Sequence, residues 1–453
     1  MNTKYKEFRN ILKNRAIAGD KPCLKYIRNN KITVVSNREF VEKCFEYCHV
    51  IKKFGISSIA IILPKTPELI YYFMGSILAG VRTCLIETTE PIQKIKQMLQ
   101  TFQAEHIIKT ASDFSDEENA IMESALSIKT DSALSGDGNA VFFTSGTSGP
   151  AKGVLLTASS LLTSSYNGQE MLPCNEGDVV LSLIPFSHIY GFICTFLWPL
   201  CYNGIICLGC GMRNLLTDPK VFNPTILPII PSLATFLLFN NALNSNLKTI
   251  LIGAGPLSKT TMELILKKHI NLSFGYGLTE TSSGVAIYVK GDNPLAMTKC
   301  PGNSFKIADD GRILIKSDSL MLGYYNDEKA TSEVVKDGYF LTNDLGFLDK
   351  DGLLHVSGRT DDVLVLSNGT KFNCRPAEEK FQTKLPYLDF AFAESKGKIK
   401  LVYYSKDLPK EKIDLCVNEF NSEQPMYSKI SMVERLDNPL PRTKTKKIQR
   451  YKL

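Results

Sequence analysis

Short apolar runs alternate with amphipathic stretches between residues 39 and 109, and this alternation constrains the fold more than any other feature of the sequence. Unbroken apolar runs of this kind are typical of strands that are buried on both faces of a sheet. Because neighbouring parallel strands need a crossover connection, usually a helix, the order β-α-β-α-β predicts a parallel sheet. The predicted helices span 39–53, 67–79 and 91–102, and the predicted strands span 59–63, 81–86 and 106–109.

The rest of the chain changes pattern twice. Residues 112–138 are polar and predict a surface connection, and residues 139–298 then continue the alternation of strands and helices. Later strands are short and separated by Asp-Gly and Asn-Gly turns, which are typical of hairpins. The turns lie at 309–311, 336–338, 350–352 and 367–369. We therefore predict an α/β fold with a large N-terminal body at 1–360, whose β-rich subdomain spans about 303–358, and a small mobile α+β domain at 361–453.

Composition excludes several classes of protein. The chain is 44% hydrophobic and 22% charged, which is ordinary for a soluble globular protein and excludes a disordered chain. Its 12 scattered cysteines, together with a polar start that lacks a signal peptide, predict reduced thiols in the cytoplasm. Cys207 and Cys210 form a CxxC pair without a second pair to complete a zinc site, so we expect two small buried residues beside a strand. The apolar stretch 189–212 contains Pro199 and predicts a buried helix and strand rather than a membrane span.

The strongest local signal is the segment 141–154, where an apolar strand runs into a loop rich in glycine and hydroxyl residues. Glycines let backbone N–H groups approach an anion, hydroxyls add donors, and Lys152 supplies a positive charge. The loop is not a Walker P-loop, because Ala151 precedes the lysine and Gly153 follows it where glycine and Ser or Thr are required. It therefore predicts a polyphosphate-binding loop of another kind.

A second segment, 274–281, combines two glycines, an aromatic ring, a hydroxyl and a carboxylate. Tyr276 can stack on a base, Thr279 can bind a phosphate, and Glu280 can hold Mg²⁺. Taken alone, a tyrosine in a glycine turn is more often structural.

The charged residues Asp344 and Arg359 lie on predicted turns farther along, and a basic tail at 440–450 ends the chain. Each of these features alone is ordinary for a protein surface. Their significance comes from their order and spacing relative to the two earlier segments.

In this order, the motifs resemble those of the adenylate-forming superfamily, which comprises acyl- and aryl-CoA synthetases, peptide-synthetase adenylation domains and firefly luciferase. The resemblance spans nearly the whole chain and implies two half-reactions. A carboxylate attacks the ATP α-phosphorus to give acyl-AMP and pyrophosphate, and a thiol then takes the acyl group and releases AMP. The implied ligands are ATP, Mg²⁺ and either coenzyme A or the phosphopantetheine arm of a separate acyl carrier protein.

The resemblance also implies roles for individual residues. Those matched to ATP are Thr144, Ser145, Gly146, Thr147, Ser148, Gly149 and Lys152 at the β- and γ-phosphates, Gly253, Ala254, Gly255, Gly275, Tyr276 and Gly277 around the adenine, Thr279 at the α-phosphate, and Asp344 and Arg359 at the ribose. Glu280 matches the Mg²⁺ carboxylate, Asp361 the hinge and Lys447 the catalytic lysine. Lys446 replaces the glycine that usually precedes this lysine, so Lys446 is a competing candidate for its role.

The segment 185–192 resembles the wall of the family's acyl pocket, with His188 at its gate and Tyr190 and Gly191 beside it. Residues 181–207 include no Asp or Glu, and an unpaired ammonium in such an apolar wall would be costly. We therefore expect a small-molecule carboxylic acid without an amino group, either aryl or fatty acyl. Four alternatives stay open: a core histidine at 188, a phosphotransferase, an enzyme that loads only a carrier protein, and a non-catalytic binding homologue.

The net charge of +7 is concentrated near the end of the chain. Residues 361–453 contain 18 basic and 13 acidic side chains, and the last 15 residues carry six basic side chains and no acidic ones. A local excess of this size favours small anions or an acidic carrier protein as partners rather than nucleic acid.

Overall fold

Sheets of mostly parallel strands carry the first two thirds of the chain. The computed structural model describes residues 7–110, 115–123, 138–144, 152–255, 257–291, 293–367, 371–385, 388–442 and 448–453. Within these ranges the strands are β1 Pro22–Arg28, β2 Lys31–Ser36, β3 Ser58–Ile62, β4 Arg82–Leu85, β5 His106–Lys109, β6 Ala140–Phe143, β7 Gly153–Leu156, β8 Val179–Ser182, β9 Ile205–Leu208, β10 Ile226–Ile229, β11 Thr249–Ile252, β12 Asn271–Leu278, β13 Ser283–Tyr288, β14 Thr298–Lys299, β15 Asn303–Ile307, β16 Arg312–Ser317, β17 Gly323–Tyr324, β18 Val335–Lys336, β19 Tyr339–Leu348, β20 Leu354–Arg359, β21 Val363–Val365, β22 Lys371–Asn373, β23 Asp389–Ser395, β24 Lys398–Tyr404 and β25 Ile430–Arg435. The helices are α1 Phe8–Ala18, α2 Asn37–Phe54, α3 Pro67–Leu78, α4 Ile92–Phe102, α5 Asp116–Glu123, α6 Ala158–Met171, α7 Ile189–Phe192, α8 Trp198–Cys201, α9 Asp218–Phe222, α10 Pro231–Phe239, α11 Lys259–Lys267, α12 Glu328–Val334, α13 Cys374–Lys384 and α14 Lys410–Ser422.

The predicted β-α-β-α-β pattern forms one sheet, in the order β17-β7-β6-β4-β3-β5. Its strands β3, β4, β5 and β6 pair in parallel, whereas β7 and β17 add an antiparallel edge. The helix that precedes β3 begins where the side chain of Ser36 accepts a hydrogen bond from the Glu39 amide at 3.1 Å, and it ends at Gly55 with a left-handed backbone. The next helix begins at Pro67, in the first helical position, where a missing N–H costs nothing.

The second sheet has the order β14-β13-β12-β11-β10-β8-β9-β1-β2. Strands β8 to β12, together with β1, run in parallel in its centre, and antiparallel strands form both edges. Apolar residues of α1, α2, α3 and the segment 189–200 join strands of both sheets in one buried core. Phe142 of β6 belongs to this core and Leu278 at the end of β12 packs against it, while β11 pairs in parallel with β12.

The hairpins predicted after residue 303 are confirmed within the described ranges. Turns at 309–311, 336–338 and 350–352 join antiparallel strands of a third sheet, made of β15, β16, β19, β18 and β20. Beyond it, β21 pairs with β22, and β23, β24 and β25 form a sheet that shares a separate apolar core with α13 and α14. The predicted α/β fold class is confirmed, and the division at residue 360 stays a prediction.

Two expectations need correction. Residues 112–138 are not only a surface connection, because α5 lies within them and buries Met122 completely. The reason is a capping box, in which Ser115 accepts from the Glu118 amide and the Glu118 carboxylate accepts from the Ser115 amide. The CxxC cysteines also differ, because Cys207 lies inside β9 and is buried whereas Cys210 follows the strand and is exposed.

The apolar stretch 189–212 forms helical turns followed by β9, as predicted. No helix in the described part of the chain combines the length and apolar character needed to cross a membrane.

Candidate active site

A cavity of about 500 Å³ opens where β6, β11 and β12 end. The carboxyl edge of a parallel sheet is where α/β proteins bind ligands, because strand ends and loops converge there. Twelve of the residues singled out from the sequence line this cavity: Thr144, Lys152, His188, Tyr190, Gly253, Ala254, Gly275, Tyr276, Gly277, Thr279, Glu280 and Arg359. Motifs that are more than 200 residues apart in sequence thus contribute to one site.

A second cavity of about 630 Å³ shares Ala254, Gly275, Tyr276 and Arg359 with the first. Its remaining lining includes further residues singled out from the sequence, Gly255, Asp344 and Asp361, and side chains of the C-terminal segment, Arg375, Glu378, Arg442, Ile448 and Arg450. The two cavities therefore lie side by side and share part of their walls, and together they are called the groove below.

A few of the predicted residues are not seen at this groove. Gly191 does not line it but is buried in α7, where an added Cβ would lie 2.3 Å from the Pro185 carbonyl oxygen. Residues 145–149 and Lys447 lie outside the described residues. The ends of the glycine loop are nevertheless joined, because the Thr144 amide donates to the Lys152 carbonyl at 2.9 Å.

Tyr276, Asp344 and Arg359 form one hydrogen-bonded group. The Tyr276 hydroxyl donates to Asp344 Oδ2 at 2.8 Å, and an Arg359 guanidinium nitrogen lies 3.4 Å from Asp344 Oδ1. Burial, reinforced by the Asp344 carboxylate, raises the pKa of Tyr276, so its phenol keeps the proton that it donates. Asp344 and Arg359 face each other across β19 and β20 rather than lying on turns, which corrects the expectation from sequence.

Glu280 provides a buried carboxylate at the other side of the cavity. It lies in the short helical turn that follows β12, and its Oε1 accepts a hydrogen bond from the Tyr324 hydroxyl at 2.8 Å. Burial raises the pKa of Glu280, which shows that the ionised carboxylate is poorly compensated by the protein alone. Mg²⁺ is commonly bound by one carboxylate plus substrate phosphates, and the described residues hold no group of three or more metal-binding side chains. Glu280 thus fits a magnesium ion that arrives with a nucleotide.

Sequence reasoning missed Tyr324. Its hydroxyl bonds Glu280, and its ring lies 4.6 Å from the Lys152 ammonium, close enough for a cation–π contact. The tyrosine reaches this place because β17 pairs antiparallel with β7, directly after the glycine loop. No local sequence motif surrounds Tyr324. Its place at the site follows from the pairing of two strands that are distant in sequence, which only the structure shows.

The turn between β12 and β13 requires a glycine at one position. An added Cβ at Gly277 would lie 1.7 Å from the Ser283 carbonyl oxygen, where the pairing of the two strands is irregular. Ser282 and Ser283, with φ of 53° and 97°, and Ala254, with φ of 60°, lie in the left-handed region nearby. Strained backbone of this kind is concentrated at binding sites, where surrounding structure holds it in place.

Replacing Glu280 with glutamine should raise the thermal midpoint of the ligand-free protein at pH 7 to 8. A carboxyl group whose pKa is raised by folding stabilises the fold fully below its unfolded-state pKa, and this contribution is lost as the pH rises through the folded-state value. Glutamine resembles the protonated form, so the advantage of the variant should shrink as the pH falls toward the ordinary glutamate range. Thermal melts from pH 5 to 8 measure it.

Glu46→Gln is a suitable control, because Glu46 is exposed and pairs with Lys43 on the surface. It should change the midpoint little at any pH. A lower midpoint for Glu280→Gln at pH 7.5 would contradict the assignment of Glu280 as an uncompensated carboxylate.

Comparison with known proteins adds three findings. The probable 4-coumarate–CoA ligase 2 of Dictyostelium discoideum is 27% identical over 388 residues, covering 71% of this chain and 70% of that protein. The 2-succinylbenzoate–CoA ligase of Bacillus licheniformis is 26% identical, covering 89% and 91%. The structure of O-succinylbenzoate coenzyme A synthetase from Bacillus subtilis in complex with AMP matches with a TM-score of 0.83 at 21% identity, covering 98% of this chain and 97% of that one.

A family profile described as "AMP-binding enzyme" matches residues 13–325, more than two thirds of the chain. This match includes the glycine loop, the segment 274–281 and the strand that carries Tyr324. The predicted membership of the adenylate-forming superfamily is confirmed, and the chain belongs to the AMP-binding enzyme family.

Proposed function

We propose that this chain is an ATP-dependent ligase that joins a carboxylic acid without an amino group, aryl or fatty acyl, to a thiol through an acyl-AMP intermediate. The observation that carries the proposal is the cavity of about 500 Å³ that Lys152, Glu280 and Arg359 line together with a set of apolar side chains. Acid–CoA ligases among the relatives support coenzyme A as the thiol.

Each group of the site has a role in the first half-reaction. Lys152 and the hydroxyl of Thr279 bind phosphate oxygens, on which negative charge builds up as the acid attacks the α-phosphorus. Tyr276 packs against the adenine while its hydroxyl holds Asp344, whose carboxylate faces the ribose hydroxyls. Glu280 would hold a Mg²⁺ ion, which would supply further positive charge there.

The C-terminal segment, residues 361–453, supplies the last component. Lys447 places its positive charge beside the reacting phosphate in the first half-reaction and is withdrawn before the thiol attacks. Asp361 is the hinge for this exchange, and it directly follows the strand that carries Arg359, with 3.5 Å between the Asp361 carboxylate and the Arg359 guanidinium. The ribose contact and the hinge are thus adjacent in space.

Pyrophosphate release measured with a panel of carboxylic acids tests this proposal. We expect release that depends on both ATP and an acid, with AMP rather than ADP as the nucleotide product. A thioester should form when coenzyme A is added. Formation of ADP would favour a phosphotransferase, and thioester formation with a pantetheinylated carrier protein but not with coenzyme A would make the chain a carrier-loading enzyme.

A further inference from the structure

The cavity of about 500 Å³ has a second end, away from the phosphate-binding residues, and its wall is apolar. α6, the helical segment 189–201 and strands β11 and β13 form this wall. The apolar side chains that line it are Leu172, Ile189, Ile193, Trp198, Leu251 and Ile287. Leu251 and Ile287 belong to a small buried cluster against which Leu172 packs.

Several polar groups on this wall are already bonded within the protein. The Tyr190 hydroxyl donates to the Leu251 carbonyl at 2.7 Å, and the Trp198 indole N–H donates to Gln169 Oε1 at 2.8 Å. The Cys194 sulfur lies 3.9 Å from the Ser283 hydroxyl, and burial raises the pKa of Cys194 to about 12, so the thiol is neutral. Because these hydroxyl, indole and thiol groups already have partners within the protein, they offer little stabilisation to a charged group on an incoming acid.

The acidic and basic side chains that line the described part of the cavity are Lys152, Glu280 and Arg359, together with the imidazole of His188. Lys152 lies over Tyr324, whose hydroxyl bonds Glu280, and Arg359 pairs with Asp344. Lys152, Glu280 and Arg359 therefore have partners at the nucleotide end, and His188 has a contact of its own within the protein. A second carboxylate at the apolar end would lose its hydration without gaining a cationic partner among the described residues of this wall, which is strongly unfavourable.

Two glycines leave this end of the cavity open. Gly168 lies on α6 and Gly284 on β13, and these two elements pack against each other. An added Cβ at either position would meet no heavy atom within 4 Å, although both residues line the cavity. Gly253, by contrast, faces a wall, because a Cβ there would lie 2.8 Å from the Tyr190 ring.

We propose that the apolar end binds the acyl group of a monocarboxylic acid that carries no second charge, and that Gly168 and Gly284 determine how large an acyl group fits. This inference rests on the proposed ligase function and names the substrate class for the same site. It differs from what the names of the 2-succinylbenzoate ligases indicate, because 2-succinylbenzoate carries two carboxylates.

Matched pairs of acids test the charge requirement. Hexanoate and adipate differ by one terminal carboxylate, as do cinnamate and 4-carboxycinnamate. We expect kcat/KM for pyrophosphate release to be about 100-fold or more higher for the monocarboxylate of each pair, because the second charge has no partner. Release with adipate equal to or faster than with hexanoate would overturn the substrate class while leaving the ligase function intact. If no acid in the panel supports release, the ligase function itself fails.

Substitutions of Gly168 by larger residues test the size requirement. Gly168→Phe places a ring in the open space, so kcat/KM should fall at least tenfold more for octanoate than for butanoate. Gly168→Ala adds only a methyl group and should give an intermediate shift in the same direction. Alanine has a higher helix propensity than glycine, so Gly168→Ala should not lower the thermal midpoint. A change in its chain-length preference would therefore not result from loss of stability.

Glu170→Phe is the matched control, because Glu170 lies on the same helix and is exposed. It should leave the preference for chain length as in the parent protein. An equal loss toward butanoate and octanoate in Gly168→Phe would overturn the role of Gly168 in size selection.

Discussion

Acid-dependent pyrophosphate exchange should fall about 10²–10³-fold when Lys447 is replaced by alanine, the typical cost of removing one preorganised group that stabilises charge in a transition state. Lys447 lies outside the described residues, but Ile448, the next residue, lines the groove together with Asp344 and Arg359. The backbone at 448 thus brings the tail to the nucleotide end of the site. Isotope exchange between pyrophosphate and ATP, in the presence of the preferred acid, measures the effect.

Lys446→Ala is the matched control for this experiment. The two lysines are adjacent in sequence and carry the same charge, so this pair separates a specific role of Lys447 from a general loss of positive charge in the tail. We expect the Lys446 variant to keep most of the exchange activity. Near-normal exchange in Lys447→Ala with strong loss in Lys446→Ala would move the catalytic role to Lys446, and normal exchange in both would remove the tail from the reaction.

The thioester half-reaction gives a second readout of the same variant. Lys447 is proposed to be withdrawn before the thiol attacks, so transfer from preformed acyl-AMP to coenzyme A should be affected much less than exchange. Equal loss in both steps would indicate a general defect of the C-terminal segment.

Much of the site could be predicted because its motifs directly follow strands. The glycine loop follows β6, Gly253 follows β11, and Tyr276 lies at the end of β12. Strand periodicity and crossover order are local properties, and they fix which ends of a parallel sheet come together. Site residues that were predicted from separate motifs therefore line one cavity.

What the sequence could not supply depends on pairing between distant segments. Tyr324 reaches Glu280 only because β17 adds to the edge of the first sheet, more than 160 residues after the strand that it joins. The hairpin β1–β2 likewise joins the second sheet through β9. Edge pairing is set by the tertiary environment rather than by local propensity, so it leaves no pattern in the sequence.

Arg450 links three parts of the C-terminal segment. Its guanidinium donates to both carboxylate oxygens of Glu378 at 2.7 Å, to Asp362 Oδ1 at 2.9 Å and to the Phe392 carbonyl at 2.7 Å. The side chain is only 10% exposed, so these bonds are largely shielded from water. Asp362 follows the proposed hinge residue and Arg450 follows Lys447 by three positions, so one buried cluster ties the tail to the hinge.

Replacing Arg450 with methionine should destabilise the C-terminal segment by about 3–5 kcal/mol, because the partly buried carboxylates of Glu378 and Asp362 would lose their charged partner. At about 1.4 kcal/mol for each tenfold change, this corresponds to a loss of amide hydrogen-exchange protection in β23 and β24 of roughly 10²–10³-fold or more. Exchange protection is the suitable measurement because it reports on this segment separately from the rest of the chain. Lys384→Met is the control, since Lys384 pairs with Glu419 at an exposed position and should cost at most about 1 kcal/mol.

Combining Arg450→Met with Glu378→Gln separates the lost ion pair from the buried charge. If the cost arises from an uncompensated carboxylate, the double variant should be more stable than Arg450→Met alone, because glutamine leaves no charge to compensate. Pyrophosphate exchange should be low in both Arg450→Met and the double variant, since neither has the tail fastened beside the hinge. Additive losses of protection would show that Arg450 contributes through packing alone, and normal exchange activity would separate this cluster from the placement of Lys447.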